Sequence, residues 1–383
     1  MDPHALVSII IINYNYAAYL AEAIDSAIGQ SYINTEVIVV DDGSTDDSRQ
    51  IIASYRDRIK SIFKENGGQA SAANEGYKSS TGNIIIFLDS DDVLHPDALE
   101  NIVLTFDDKA AKVHWPLWRI DALGHKSGRL LPDGVLVEGN LRDQLIKLGP
   151  AYCGGPPESP PTSGNAWARK FLKEVMPIPV SVFKGGIDHY LFILAPLFGE
   201  IRRISNPLGC YRVHGTNNTL RPDYMPIFFN RFEYGCEVLS TYLLKSGIEV
   251  DPLSWPRDHW FHKLDHSLRQ IDVTIPQHAP FILVDDDAWT AGQSILQRPR
   301  FHLIERDGQY WGAPTHDAEA IEALEQYRME GVCYFVLTWS SFWYMDYFTI
   351  FRHHLDTHYK CIQKNELLMI YELEDVKSKR VTS

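Results

Sequence analysis

Three carboxylates stand within four residues at Asp89-Ser90-Asp91-Asp92, directly after the hydrocarbon run Ile84-Ile85-Ile86-Phe87-Leu88. Acids held that close raise one another's cost of ionisation unless a counter-charge is supplied. A divalent cation that also grips a diphosphate supplies it, because hard cations take carboxylate and phosphate oxygens together. The same construction occurs twice upstream. Val37-Ile38-Val39-Val40 runs into Asp41-Asp42-Gly43-Ser44, and Ser8-Ile9-Ile10-Ile11-Ile12 runs into Asn13-Tyr14-Asn15. Further on, Asp188 follows Gly185-Gly186-Ile187, and His214 closes Tyr211-Arg212-Val213-His214.

These polar clusters need elements to bring them together. Short, mostly β-branched or aromatic runs read as strands buried on both faces. Residues 7–100 alternate such strands with helical stretches. A helix is expected near 17–30, with Leu20, Ile24, Ala27 and Ile28 on one face, and another near 69–79, closed by Thr81-Gly82. The βαβα pattern predicts an open, doubly wound, mostly parallel sheet with its ligand at the carboxyl edge. Val113–Ile120 is expected to add a strand. The Pro- and Gly-rich stretch 149–161 reads as an ordered surface loop or lid. Residues 222–272 are helical in period, with Phe228, Phe232, Cys236, Leu239 and Leu243 on one face. After Pro276 a second α/β unit begins, with strands at 281–284, 334–337 and 367–371 around a helix at 317–330.

The chain has 383 residues, too many for one ordinary core. The expected division is a catalytic domain at 1–220, a helical connection at 221–275 and a small C-terminal α/β domain at 276–376. A net charge of -14 argues against nucleic acid as partner. No apolar run reaches the roughly 18 residues that a bilayer span needs, and the N-terminal residues lack the pattern of a signal peptide. The five cysteines are scattered, with no CxxC pair, which fits reduced thiols in a cytoplasmic protein.

The segments Val7 to Asn15, Val40 to Asp46, Asn66-Gly67-Gly68-Gln69 to Asn74-Glu75-Gly76, and Leu88 to Asp92 resemble, in order and spacing, the family 2 glycosyltransferases of GT-A fold. The Tyr211–Asn218 segment resembles a stretch that often closes the catalytic domain in that family, so the resemblance covers about residues 5–220. It implies transfer of a sugar, with inversion, from a nucleotide-diphosphate donor to a glycan, lipid-linked or small-molecule hydroxyl acceptor. It further implies a Mn²⁺ or Mg²⁺ cofactor and a role in bacterial-type glycan synthesis, in the cytoplasm or at the inner face of a membrane. A nucleotidyltransferase would need a basic, Gly-rich phosphate loop near the first strand, which Asn13-Tyr14-Asn15-Tyr16 is not. A silent glycan-binding or scaffold protein on the same fold is the other rival. Oligomeric state is open.

Carried over residue by residue, the resemblance makes Asp91 the metal ligand and Asp188, about 100 residues further on, the base that takes the acceptor proton. Asp89 and Ser90 fall to the donor ribose or a metal-bound water. Asp42 falls to the base or ribose, with Asn13, Tyr14 and Asn15 lining that pocket and Gly43 turning the chain beside it. Gln69 and Asn74 face the nucleotide, with helix capping the alternative for Gln69. His214 completes the metal shell or touches the diphosphate. Arg212 reads equally as a diphosphate contact or an ion pair. Ser163, Gly164 and Trp167 border the acceptor, with core packing the alternative for the indole.

Overall fold

In the computed structural model, residues 4–132, 134–151, 159–214, 224–255, 260–285, 298–306 and 309–373 are described. Contacts divide the chain into two units, 1–256 and 257–383, so the helical stretch expected at 221–275 is shared between them.

The first unit runs β1 (Val7–Asn13), α1 (Ala17–Ile28), β2 (Thr35–Asp41), α2 (Ser48–Ser54), β3 (Lys60–Phe63), α3 (Gln69–Ser79), β4 (Ile84–Asp89), β5 (Val93–Leu94) and α4 (Ala98–Thr105). It continues with β6 (Ala110–His114), β7 (Leu117–Ile120), β8 (Lys126–Leu131), α5 (Arg142–Leu148), β9 (Asn165–Ala168), α6 (Arg169–Val175), α7 (Ile187–Phe198), β10 (Glu200–Arg203), β11 (Gly209–Arg212) and α8 (Tyr224–Lys245). The strand expected at 113–120 is two strands, β6 and β7. Pro116, which has no N–H to give a ladder, separates them.

The main sheet has the order β10-β6-β9-β4-β1-β2-β3. β1 pairs in parallel with both β2 and β4, β2 with β3, and β6 with β10, while β9 runs antiparallel between β4 and β6. Every residue of β1 is buried, as are Ile84–Leu88 of β4, which is why those runs are continuous hydrocarbon. Chain order reverses between β1 and β4, and a crevice at the carboxyl ends of such strands is where open α/β sheets hold ligands. Register fixes what stands there: Asn13 lies beside Asp41, and Ile12 beside Asp89.

A second sheet, β5-β11-β7-β8, supplies the other wall. Cys210 of β11 pairs antiparallel with Val93 of β5. That register carries residues 212–214 back alongside Asp91 and Asp92. On α8, Phe232, Cys236, Leu239 and Leu243 are buried, as their spacing predicts.

The second unit is α9 (Trp260–Thr274), β12 (Phe281–Val284), β13 (Arg300–His302), the hairpin β14 (Glu305–Arg306) and β15 (Gln309–Tyr310), α10 (Asp317–Met329), β16 (Tyr334–Thr338), α11 (Trp343–Tyr347), α12 (Thr349–His358), β17 (Lys360–Lys364) and β18 (Leu368–Glu372). Its sheet has the order β13-β12-β16-β18-β17, parallel across the first three strands. Phe335, Phe348, Phe351, Leu324 and Tyr344 fill its core.

Candidate active site

The acid cluster sits where β4 ends. Asp89 is partly exposed, while Ser90, Asp91 and Asp92 are buried. Burial, then the charge of Asp91, then that of Asp188, push the Asp89 carboxyl up to about 8. Burial, then the charges of Asp91 and Asp89, push Asp92 well above the carboxylate range. The cluster is therefore short of positive charge. His214 Nε2 lies 2.9 Å from Asp91 Oδ2. Asp91 and His214 are a carboxylate–imidazole pair suited to a hard divalent cation that also takes phosphate oxygens. Among the described residues no three or more His, Cys, Asp or Glu groups form a closed cage.

Of the two readings for Arg212, the structure shows the ion pair, made to Glu22. It is almost fully buried, its Nε donates to the Asp91 carbonyl at 2.9 Å, its backbone N–H donates to Asp92 at 2.9 Å, and its Nη2 donates to Glu22 at 2.5 Å. It pins the acid turn against α1.

Asp188 lies in the first turn of α7, which Gly186 opens with a φ of +67°. Burial raises its carboxyl, and the charges of Arg231 and then Lys112 pull against that rise. Lys112 is itself buried, with its ammonium 3.6 Å from the centre of the Phe192 ring. Gln69 links this loop to the acid cluster. Its Nε2 donates to Asp89 Oδ1 at 2.7 Å, and its Oε1 accepts from the Gly186 N–H at 2.6 Å. Both ends of the amide are engaged, so Gln69 bridges the acid turn and the Gly186 loop.

At the end of β2, Asp42 is buried and accepts from the N–H of Gly67 at 3.1 Å and of Gly68 at 2.7 Å, and from Lys64 Nζ at 2.5 Å. Gly43 has a φ of +86°, and a Cβ there would come within 2.7 Å of the Asn66 nitrogen. Beside it lies a cleft of about 510 Å³ lined by Gly43, Arg49, Phe63, Lys64, Glu65 and Asn66. Tyr14 is 45% exposed at the same edge. Asn15, at a φ of +59°, accepts from the Thr45 N–H at 2.7 Å and holds the turn after β2.

Several expected ligand contacts are spent on the fold. Asn13 is fully buried, and its Nδ2 donates to Asp41 at 3.0 Å and to Ser44 at 3.1 Å. Asn74 clamps the backbone of Ile178 from both sides, donating to its carbonyl and accepting from its N–H, each at 2.8 Å. Ser163 is 1% exposed and accepts from the Asp89 N–H at 3.1 Å, underneath the acids. Gly164 is buried, and a Cβ there would meet Pro160 at 2.6 Å. Trp167, an inner-strand residue, packs on Phe171 and Phe192 in the core. All three are buried. Conversely, Tyr16, Tyr19, Glu22, Lys64, Lys112 and Arg231 reach the site with no motif to mark them. The Pro-rich stretch falls, over 152–158, outside the described residues, as do 215–218 of the closing segment.

Residues 8–129 match the model of the family described as glycosyl transferase family 2. The chain carries a glycosyl transferase family 2 domain. An uncharacterized glycosyltransferase of Nostoc sp. strain PCC 7120 is 37% identical over 218 residues, which is 55% of this chain and 66% of that protein. One of Rickettsia prowazekii is 45% identical over 146 residues, 37% of this chain and 46% of the relative. The chain thus spans two thirds or less of the curated relatives it matches. Among solved structures, S. aureus TarS aligns with a TM-score of 0.48 at 20% identity, over 70% of this chain and 44% of that one. The matched glycosyltransferase segment holds both strand-end acid motifs, Asp42 and Asp89–Asp92, while Asp188 and His214 lie beyond it. Among the described residues no helix is long and apolar enough to cross a membrane.

Proposed function

We propose that the first unit transfers a sugar, with inversion, from a nucleoside-diphosphate donor to a hydroxyl acceptor. The observation that carries this reading is the meeting of four groups at one sheet edge: Asp89 and Asp91 from the end of β4, His214 from beyond β11, and Asp188 from the start of α7. A sugar hydroxyl is a poor nucleophile until its proton is drawn off. Asp188 takes that proton as the oxygen attacks the anomeric carbon opposite the diphosphate, so configuration inverts. Its raised pKa suits the task, since a base works best when its pKa lies near the working pH. Gln69 holds the Gly186 loop, and with it Asp188, at a fixed place relative to Asp89. The nucleobase enters the cleft beside Asp42, where Phe63 offers an apolar wall and Lys64 and Asn66 polar groups. Asp91 and His214 would hold a Mn²⁺ or Mg²⁺ ion, whose charge would offset that of the leaving diphosphate.

A thermal-shift panel of UDP, dTDP, GDP, CDP and ADP, each with Mn²⁺, Mg²⁺ or EDTA, tests the reading. A ligand at 100 times its dissociation constant adds about 2.7 kcal/mol. One diphosphate is expected to stabilise the chain only with metal, and Asp91→Ala to abolish that stabilisation. Asp188→Asn keeps donor affinity and loses transfer. A chain indifferent to every diphosphate would instead be a silent glycan-binding or scaffold protein.

A further inference from the structure

Helix α1 carries side chains for which the donor reading has no use, and they converge on His214. The Tyr19 ring is stacked on the His214 imidazole, with centroids 5.0 Å apart and planes 26° from parallel. The Arg212 guanidinium carbon lies 4.9 Å from the centre of that same Tyr19 ring. Tyr16 meets the imidazole edge-on at 5.4 Å and 67°. Glu22, one turn along α1, takes the hydrogen bond from Arg212 Nη2.

Two facts give this arrangement weight. His214 stands two residues past the end of β11, so ladder hydrogen bonds do not fix its side chain. Tyr19 lies off the buried stripe of α1, which is Leu20, Ala23, Ile24 and Ala27, so the helix packs on the sheet without it. The ring is therefore placed by what it touches at the site.

We propose that Tyr19 is a positioning residue that orients the His214 imidazole toward the cation it shares with Asp91. The inference rests on the assignment of Asp91 and His214 given above. Groups that orient a metal ligand typically contribute ten- to a hundredfold in affinity. The aromatic stack takes that part here: it leaves Nε2 on the Asp91 side and limits rotation about the side-chain bonds, so less freedom is lost on binding.

The test is Mn²⁺, alone and with each of UDP, dTDP, GDP, CDP and ADP, titrated into the full chain and followed by the EPR signal of the free ion against a nucleotide-only control. Tyr19→Leu is expected to weaken binding about ten- to a hundredfold, and Tyr19→Phe, which keeps the stack, to stay within about twofold. Tyr19→Met, of similar bulk without a ring face, is measured in parallel in case the leucine variant does not fold. The same substitution is then made on His214→Ala. If Tyr19 acts through His214, it costs nothing further in that background, because coupled residues are non-additive. Wild-type affinity in Tyr19→Leu and Tyr19→Met, or an equal loss with and without His214, overturns the inference while leaving the metal site intact. A wild-type chain that takes up Mn²⁺ neither alone nor, with UDP, dTDP, GDP, CDP or ADP present, beyond what the nucleotide itself binds overturns the metal assignment itself.

Discussion

Replacing Gln69 by leucine removes, at nearly constant volume, both hydrogen bonds that join the acid cluster to the segment bearing Asp188. The Gly186 N–H loses its acceptor at 2.6 Å, and Asp89 loses a donor at 2.7 Å. A buried donor left unpaired costs about 1–3 kcal/mol, and a bond that water partly replaces about 0.5–1.5 kcal/mol. The sum is roughly 1.5–4.5 kcal/mol, at about 2–4 °C of melting temperature per kcal/mol for a unit of this size. Urea unfolding of the full chain reads it, with the two units fitted as separate transitions. Gln69→Glu gives the contrast. It keeps an acceptor for Gly186 but sets a second carboxyl against Asp89, which already holds its proton up to about 8. A folded-state pKa above the unfolded value means stability that is present in acid and is lost as pH rises through the folded value. Gln69→Glu is therefore expected to lie close to wild type at pH 5 and to fall behind it at pH 8.5. A leucine variant within about 0.5 kcal/mol of wild type, or a glutamate variant with the same deficit at both pH values, would refute the bridge.

Three further outcomes are expected. Gly43→Ala combines a left-handed backbone with a Cβ pressed on the Asn66 nitrogen, and is expected to cost about 1–3 kcal/mol and to weaken nucleoside-diphosphate binding, read by thermal shift. The acid limb of transfer is expected to lie higher than for a free aspartate, because burial raises Asp188, and Arg231→Met is expected to move the limb higher still in a pH profile of kcat/KM. In the second unit, burial of Glu325 would raise its pKa, but hydrogen bonds from Tyr359, His354 and Arg328 outweigh this and pull it down to about 2. That stabilisation is in place above the pKa of a free glutamate, about 4.3, and fades as pH falls toward 2. Glu325→Gln is accordingly expected to cost about 1–3 kcal/mol at pH 7 and far less at pH 2.5, by urea unfolding.

The strands and their polar ends were legible because their cause is local. A continuous, mostly β-branched apolar run such as Ile9–Ile12 or Ile84–Leu88 reads as a strand covered on both faces, and parallel strands put Asn13, Asp41 and Asp89 on one edge. The division of the helical stretch 221–275 between two units was not legible, because helical period marks a buried face without saying which core buries it. Side-chain partners depend on register across distant elements. His214 reaches Asp91 because β11 pairs with β5. Gln69 bridges the acid turn and the Gly186 loop because α3 starts beside that loop. Asn74 is consumed by Ile178, about 100 residues away. Trp167 is core because β9 inserts between β4 and β6. Composition and spacing decided which groups this chain brings to its sheet edge, and tertiary packing decided which of them remain open to a ligand. An amide or indole has the same sequence signature whether its hydrogen bonds and faces are spent on the fold or left for a substrate.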